Sequence, residues 1–437
     1  MAPSLKLRRP TAAPGEGGSD RRRVLARRLL PAGVAAAFFA FMTVLYLTGQ
    51  RSLYEDMLRS WGVDPFRFPF VDVETVLSAV RCMHQGVDVL TANPCDPVRR
   101  AFDYSPLWLL LAKFPVTEAW TMPTGFIGVT SFIASLTLLP AGRTRLAVML
   151  IALAAVSPAV VFGAERGNND LVLFVLAAIA AALVCRTPAL RIVAYGAALL
   201  AGLLKYYPMT LLALATRERP ARFFAVAAVC AAVLAVFLLT MGHELTRALK
   251  LIPGGGWFGD MFGSTMIAGG LGRQYGISSE TGAAVRIGLT VTAFGAGLFL
   301  ALRQSMTRTL DRLADLERMM LLAGGLLIIG CFFTAQNIGY RAMHLVLTVP
   351  ALAALSHARA GRAWTLTLWA TLLLLWAQGW RNWFFSTDAG RQMVFAGWIL
   401  REALWWWTIT MLIALVAGLL VRSEMSRRAF PRLQVPA

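Results

Sequence analysis

Charge is what this sequence has least of. Charged residues fill 15% of its 437 positions, against roughly 25% in an ordinary soluble domain. That shortfall excludes a set of water-soluble domains, and no polar linker separates its apolar runs. Metal and nucleotide signatures are absent as well. There is no H-x-x-x-H, CxxC or DxD spacing, no Walker A and no G-x-S-x-G, and His84, His243 and Glu244 have no ligand spacing. No metal ion or other cofactor is expected. The five cysteines say little. Cys185, Cys230 and Cys331 lie in or beside apolar segments and read as packing residues. Cys82 and Cys95 share one polar loop, where a bridge and two free thiols are both open. Neither a 20–50-residue repeat nor an inverted duplication is evident.

What fills the sequence is apolar: 57% hydrophobic residues, in long runs. The run 29–48 is long enough to span a bilayer, lacks an A-x-A cleavage site and reads as an uncleaved first helix. Further spanning candidates fall at 122–140, 146–163, 171–186, 190–216, 221–241, 286–302, 319–335, 341–356, 363–380 and 402–421. The fold class expected is all-α, a polytopic transmembrane helical bundle of 11–13 spans. A first periplasmic loop, 50–103, carries interfacial helices. One membrane domain, 29–421, lies between a disordered basic tail, 1–28, and a C-terminal tail, 422–437.

The net charge of +19 is spread in a telling way. Arginines crowd both tails (Arg8, Arg9, Arg21, Arg22, Arg23, Arg27, Arg28; Arg422, Arg427, Arg428, Arg432). Others cluster in short connections: Arg143/Arg145, Arg217/Arg219/Arg222, Arg303/Arg308/Arg312/Arg318 and Arg359/Arg362. This positive-inside pattern puts those segments, and the N-terminus, in the cytoplasm. The stretch from Arg51 to Asp103 differs, with six arginines against eight acids. No basic face with interleaved aromatics exists, so nucleic acid is not expected as a partner.

Two stretches break the alternation of spans. Residues 104–118 are short, with two prolines, and read as an interfacial or re-entrant helix. The run 190–216 has arginine at both ends and Lys205-Tyr206-Tyr207-Pro208 in the middle. Two half-helices meeting there keep both ends inside, and irregular backbone at depth is tolerated where it lines a cavity. The outward segments are then 50–103, 165–170, 242–285, 334–341 and 381–400. Gly254-Gly255-Gly256 reads as a flexible loop, and Trp405-Trp406-Trp407 as an interface anchor.

Four places can carry chemistry. Asp72 and Glu74 open a helix in the first loop, where a carboxylate can take a proton from a sugar hydroxyl; capping that helix is the plain alternative for Asp72. A leaving lipid phosphate needs no general acid, so one base suffices, unlike the carboxyl pair of a glycosidase. Glu165–Asp170 is a polar turn at the mouth of a span: Arg166 suits a phosphate, Asn168 and Asp170 suit sugar hydroxyls, and Asp170 also suits capping. Lys205 lies within an apolar run, as a point charge for phosphate or a snorkelling side chain. The turn 334–341, with His344 one helical turn on, holds an outward-looking Arg341 that calls for a partner such as phosphate or Asp72.

The order of these pieces is Asp72 after the first span, Tyr104-x-Pro106-Leu107 opening the next apolar stretch, Gly167-Asn168-Asn169-Asp170 entering a span, then Lys205-Tyr206-Tyr207-Pro208 followed by Arg217, Arg219 and Arg222. It resembles the family 87 glycosyltransferases of the GT-C superfamily, over roughly residues 70–345. The segment 165–174 (ERGNNDLVLF) and Tyr340-Arg341 resemble one subgroup especially. The chain departs from the commoner pattern with Tyr-Ser-Pro for Tyr-Pro-Pro and Gly-Asn-Asn-Asp for Gly-Gln-x-Asn.

The resemblance implies a GT-C fold and a polyprenyl-phosphate-sugar-dependent, inverting hexosyltransferase in the bacterial inner (cytoplasmic) membrane, working at its periplasmic face. Mannose is the sugar first expected, since similar members include a mannosyltransferase of phosphatidylinositol mannoside assembly. A lipid or glycan is the acceptor. By that likeness Asp72 is the base, and Lys205 and Tyr207 lie near the donor phosphate. Glu74, Tyr104, Arg166, Asn168, Asp170, Tyr340 and Arg341 complete the expected substrate-binding set. Two other classes compete. A transporter or lipid flippase would use Lys205 and the polar turns as a path, though no inverted repeat supports it. A surface-glycan polymerase or ligase usually relies on a large late outer loop, and the loops here after 300 are small.

Overall fold

A computed structural model describes residues 16–252, 261–334 and 337–423. Apart from a two-residue pairing of β1 (Met261–Phe262) with β2 (Asn337–Ile338), the regular structure described is helical. Among the described residues, seven helices are long and apolar enough to cross a membrane. The count is below the 11–13 expected because several apolar runs are divided or short. The run 341–356, for example, is divided into a 3-10 helix (Gly339–Leu347) and a short α-helix (Val349–His357), and the run 171–186 gives only the 14 residues Asp170–Leu183. The run 146–163 still counts as one span, although α5 and α6 (Arg145–Ala155, Pro158–Arg166) meet at Ser157, where Pro158 offers no N–H to continue the ladder.

The chain opens with α1 (Glu16–Leu47), α2 (Arg51–Ser60) and α3 (Val71–His84). Helix α1 corrects the expected tail. Residues 16–28 are helical, since no proline lies between Pro14 and Pro31 and the arginines and leucines there are good helix formers. Residues 1–15, with Arg8 and Arg9, lie outside the described residues, as do Gly254–Gly256, Gln336 and residues 424–437. A 3-10 helix (Pro106–Lys113) fills the interfacial stretch, followed by α4 (Thr121–Leu136) and α7 (Asp170–Leu183).

Next comes α8 (Pro188–Lys205), which stops at Tyr206, and a 3-10 helix (Tyr207–Arg217) that returns. The return is shown by its end meeting the start of α8: Tyr195 donates to Glu218 Oε1 at 2.9 Å, and Arg191 lies 3.3 Å from the same oxygen. This is the pair of half-helices meeting at the KYYP sequence. Pro208 disfavours helix before it, and Tyr206 is held at φ +30°, a left-handed value rare for a residue with a side chain.

The rest comprises α9 (Pro220–Leu251), α10 (Met266–Tyr275), α11 (Ser279–Leu302), α12 (Gln304–Leu310), α13 (Asp315–Thr334), a 3-10 helix (Gly339–Leu347), α14 (Val349–His357), α15 (Arg362–Leu375), α16 (Ala377–Ser386) and α17 (Asp388–Val421). The stretch 381–400, expected as a loop, is helical throughout except for Thr387, which caps α17 by accepting from Gly390 N–H. Much of 242–285 is likewise helical, in the end of α9, in α10 and in the start of α11. The tryptophan triplet is not wholly an anchor either. Trp405 stacks on Phe262 with centroids 4.2 Å apart, Trp406 packs edge-on to Phe332, and only Trp407 is exposed.

The core sits around α13, α14, α6 and the 3-10 helix 339–347, whose apolar side chains are buried. Helices α9 and α11 turn large apolar side chains outward, Leu239 among them at 86% exposure. Water would not tolerate that surface, whereas bilayer hydrocarbon does.

One end of the bundle is rich in arginine. Arg143 binds Glu317 and donates to the Arg312 carbonyl at 2.8 Å, Arg217 pairs with Asp315 at 2.5 Å, and Arg27 reaches the Arg143 carbonyl at 3.2 Å. From that end the 22 residues of 145–166 climb about 33 Å, and the 18 of α8 about 27 Å. Both finish at the same place.

Candidate functional site

That place is where the helices are interrupted. Helix α6 ends on Gly167, at φ +60°, where a Cβ would meet Val73 Cγ2 at 2.8 Å and Phe70 Cβ at 3.0 Å. Only glycine lets the turn 167–169 lie this close to the start of α3. Helix α8 ends on Lys205, and the 3-10 helix 339–347 follows β2. Interrupted backbone from three directions thus surrounds one buried polar cluster.

Asp72 is fully buried. Arg166 grips it with two parallel bonds, Nη2 to Oδ1 at 2.6 Å and Nε to Oδ2 at 2.8 Å, and Asn168 Nδ2 donates to Oδ2 at 2.5 Å. Arg100 Nη2 stands 3.6 Å from Oδ1. The carboxylate therefore does not cap α3, whose cap position is Phe70 in the left-handed region. Burial alone would raise its pKa. The charge of Arg166, the hydrogen bonds from Arg166 and Asn168 and the charge of Arg100 outweigh burial and hold it below the usual carboxylate value.

Asp170 is the second buried carboxylate. Lys205 Nζ lies 2.6 Å from Oδ2, the Tyr207 hydroxyl donates to Oδ1, His344 Nε2 is 3.3 Å from Oδ1, and Arg341 Nε is 3.7 Å from Oδ2. Asp170 is a hub of four side chains and no simple cap, and Lys205 turns inward to it without snorkelling. Arg341 finds Asp170 and Asn337 as partners, not Asp72, because the 3-10 helix 339–347 approaches the α7 side of the turn.

Asn168 joins the two halves. Its Nδ2 donates to Asp72, and its Oδ1 accepts from Lys205 Nζ at 3.3 Å and from the Asp170 N–H at 3.0 Å. Aromatic rings wall the cations. The Arg166 guanidinium lies 4.8 Å from the Phe66 centroid and 5.8 Å from that of Tyr340, and Lys205 Nζ lies 5.6 Å from Tyr340.

The structure therefore brings together Asp72, Arg166, Asn168, Asp170, Lys205, Tyr207, Tyr340 and Arg341. Tyr104 stands beside them. Burial, then the Asp72 charge, pushes its hydroxyl well above the ordinary value. Glu74 is not among them: two positions on from Asp72 it leaves another side of α3, and its half-buried carboxylate takes the Thr121 hydroxyl at the start of α4.

Three groups were missed as site residues. His344 completes the Asp170 hub and had been noted only as a neighbour of Arg341. Arg100 donates to Thr75 Oγ1 at 2.6 Å and neighbours Asp72; the balance of arginines and acids in its loop was its only signal. Asp103 is pushed above the usual carboxylate value by burial, which outweighs the nearby charges of Arg100 and Lys205. The loop that carries Arg100 is tied to α3 by a disulfide between Cys82 and Cys95, and by Thr75 donating to Asp96 Oδ1 at 2.7 Å.

Chemically, the cluster offers two buried carboxylates, Asp72 held by Arg166 and Asp170 held by Lys205, beside fixed cations with donors to spare. Lys205 has three N–H bonds and two partners here. Arg341 Nε is buried without a hydrogen-bond acceptor. An anion with several acceptor oxygens suits those donors. Compared with models of known protein families, with curated proteins and with solved structures, the chain matches none.

Proposed function

We propose that this protein is a glycosyltransferase of the GT-C type, moving a hexose, mannose first among candidates, from a polyprenyl-phosphate donor to a lipid or glycan acceptor with inversion. The observation that carries the reading is the joining, through Asn168, of a buried ionised carboxylate to Lys205, and through Asp170 on to Arg341, each of these cations with a donor unused. The order of motifs that resembles family 87 supports it, since Asp72, Asn168, Asp170, Lys205, Tyr207, Tyr340 and Arg341, which carry much of the resemblance, meet in the cluster.

In this reading Lys205 and Arg341 hold the donor phosphate, and the acceptor hydroxyl sits against Asp72. The acceptor oxygen attacks the anomeric carbon from the face opposite the phosphate, and its proton passes to Asp72. The bond from the anomeric carbon to the phosphate oxygen breaks, and the electron pair leaves with the phosphate, whose charge the cations balance. Arg166 engages Asp72. An arriving phosphate competes for that guanidinium, which frees carboxylate lone pairs for the hydroxyl.

The periplasmic face of a bacterial cytoplasmic membrane, with the N-terminus inside, fits the arginine-rich end opposite the cluster. The bridged cysteines beside the cluster fit an oxidising compartment. The reading is tested with the full chain in proteoliposomes and a radiolabelled mannosyl polyprenyl phosphate. Label covalently joined to an extracted lipid or glycan supports transfer. Label that crosses the bilayer still joined to its phosphate identifies a flippase instead.

A further inference from the structure

Beside the cluster an apolar groove runs between α1, α2, α4 and α6. Phe38, Met42 and Tyr46 line it from α1, Met122 and Phe126 from α4, and Glu165 reaches it from α6. Glu165 is 5% exposed. Its Oε1 accepts from the Phe66 N–H at 3.2 Å, while its Oε2 is buried with no hydrogen-bond partner. The residue is pinned in this pose, because its backbone carbonyl accepts from the Phe70 N–H at 2.6 Å.

Two physical facts narrow the occupant. An apolar chain gains little by leaving bilayer hydrocarbon for an equally apolar groove, so recognition must come from the polar end. The polar group waiting there is a carboxyl oxygen without a donor, which is costly to leave unmet. A phosphate diester carries no proton at neutral pH to donate there. A hydroxyl supplies the missing donor.

We propose that this groove seats a hydroxylated amphiphile, its chain along α1 and α4 and its head-group O–H donating to Glu165 Oε2. It would be the acceptor of the transfer reaction. The word acceptor rests on the reading above, and the ligand's chemistry rests on the groove. Glu165 adjoins Arg166, the residue that holds Asp72, so a head group bound there has its other hydroxyls beside the base.

The test uses the full chain in phosphatidylcholine nanodiscs, with tritiated dodecyl glucoside as the hydroxylated amphiphile and undecaprenyl phosphate as the anionic prenyl lipid. The wild type is expected to bind the glucoside saturably. Glu165→Gln, which keeps an oxygen for Phe66 and turns an amide N–H₂ into the groove, and Thr43→Trp, which fills the groove from α1 and leaves Glu165 intact, should each weaken it about tenfold or more and change undecaprenyl phosphate binding less than about twofold. Absence of saturable glucoside binding, or binding equal in wild type and both variants, overturns the proposal. Loss of undecaprenyl phosphate binding in its place does so too, and makes the groove the donor's. Glucoside bound through Glu165 by a wild type that transfers no sugar would overturn the transferase reading and leave the groove's ligand as proposed.

Discussion

Arg166 and Asp72 meet through two parallel hydrogen bonds, across a sequence separation of 94 residues, with both side chains out of water. The pair fastens the first extramembrane loop to the α6–α7 turn. It also keeps the proposed base ionised and occupied until something else claims the guanidinium.

Breaking that pair from one side leaves a buried charge alone. Arg166→Met should destabilise the protein by about 3–5 kcal/mol, and Asp72→Asn by a similar amount. The double variant removes both charges and should recover most of the loss. Thermal unfolding in a fixed detergent reads the cycle, and additive losses in the double variant would show that the two residues do not act as a pair.

Lys205 should matter for the donor first. Lys205→Ala is expected to raise the apparent KM for the polyprenyl-phosphate sugar about tenfold or more, about 1.4 kcal/mol for each tenfold. Lys205→Arg should not restore it, since a planar fork cannot occupy the point-charge position between Asp170 and Asn168. An unchanged donor KM in the alanine variant removes Lys205 from phosphate binding.

The pH dependence follows from the depressed Asp72 value. A carboxyl more acidic in the folded protein than in the unfolded chain binds fewer protons when folded. Its contribution is present above the unfolded value of about 3.9 and is lost as pH falls through the lower folded value. The stability gap between wild type and Asp72→Asn should therefore stay level from neutral pH down to about 5, and close only in stronger acid. Glu74 works the other way: its value is raised by burial, so its contribution is greatest at low pH and declines as pH rises through the folded value. A gap that closes between about pH 7 and 5 would mean that Asp72 is not held ionised as described.

The helical bundle was legible because apolar runs of spanning length have few alternatives. The break at Tyr206 was legible because proline and a lysine at depth both argue against one continuous helix. The hub around Asp170 was half visible. Lys205, Tyr207 and Arg341 stand out in apolar surroundings, but their convergence on one carboxylate is a tertiary fact that no local pattern encodes. Arg100 and Asp103 sit in a loop whose path is fixed by a disulfide and by Asp96, and nothing local marks them. Glu74 was grouped with Asp72 by sequence proximity, although two residues apart on a helix face different ways.

The central claim is that Asp72 accepts the proton from the attacking hydroxyl, and single-turnover sugar transfer by Asp72→Asn measures it most directly. The variant should be made in the Arg166→Met background as well as alone, so that stability and chemistry separate. The account predicts that both forms insert into the membrane and that transfer falls about 10²–10⁴-fold in each, even where the double variant is as stable as wild type. Transfer at the wild-type rate by Asp72→Asn would contradict it.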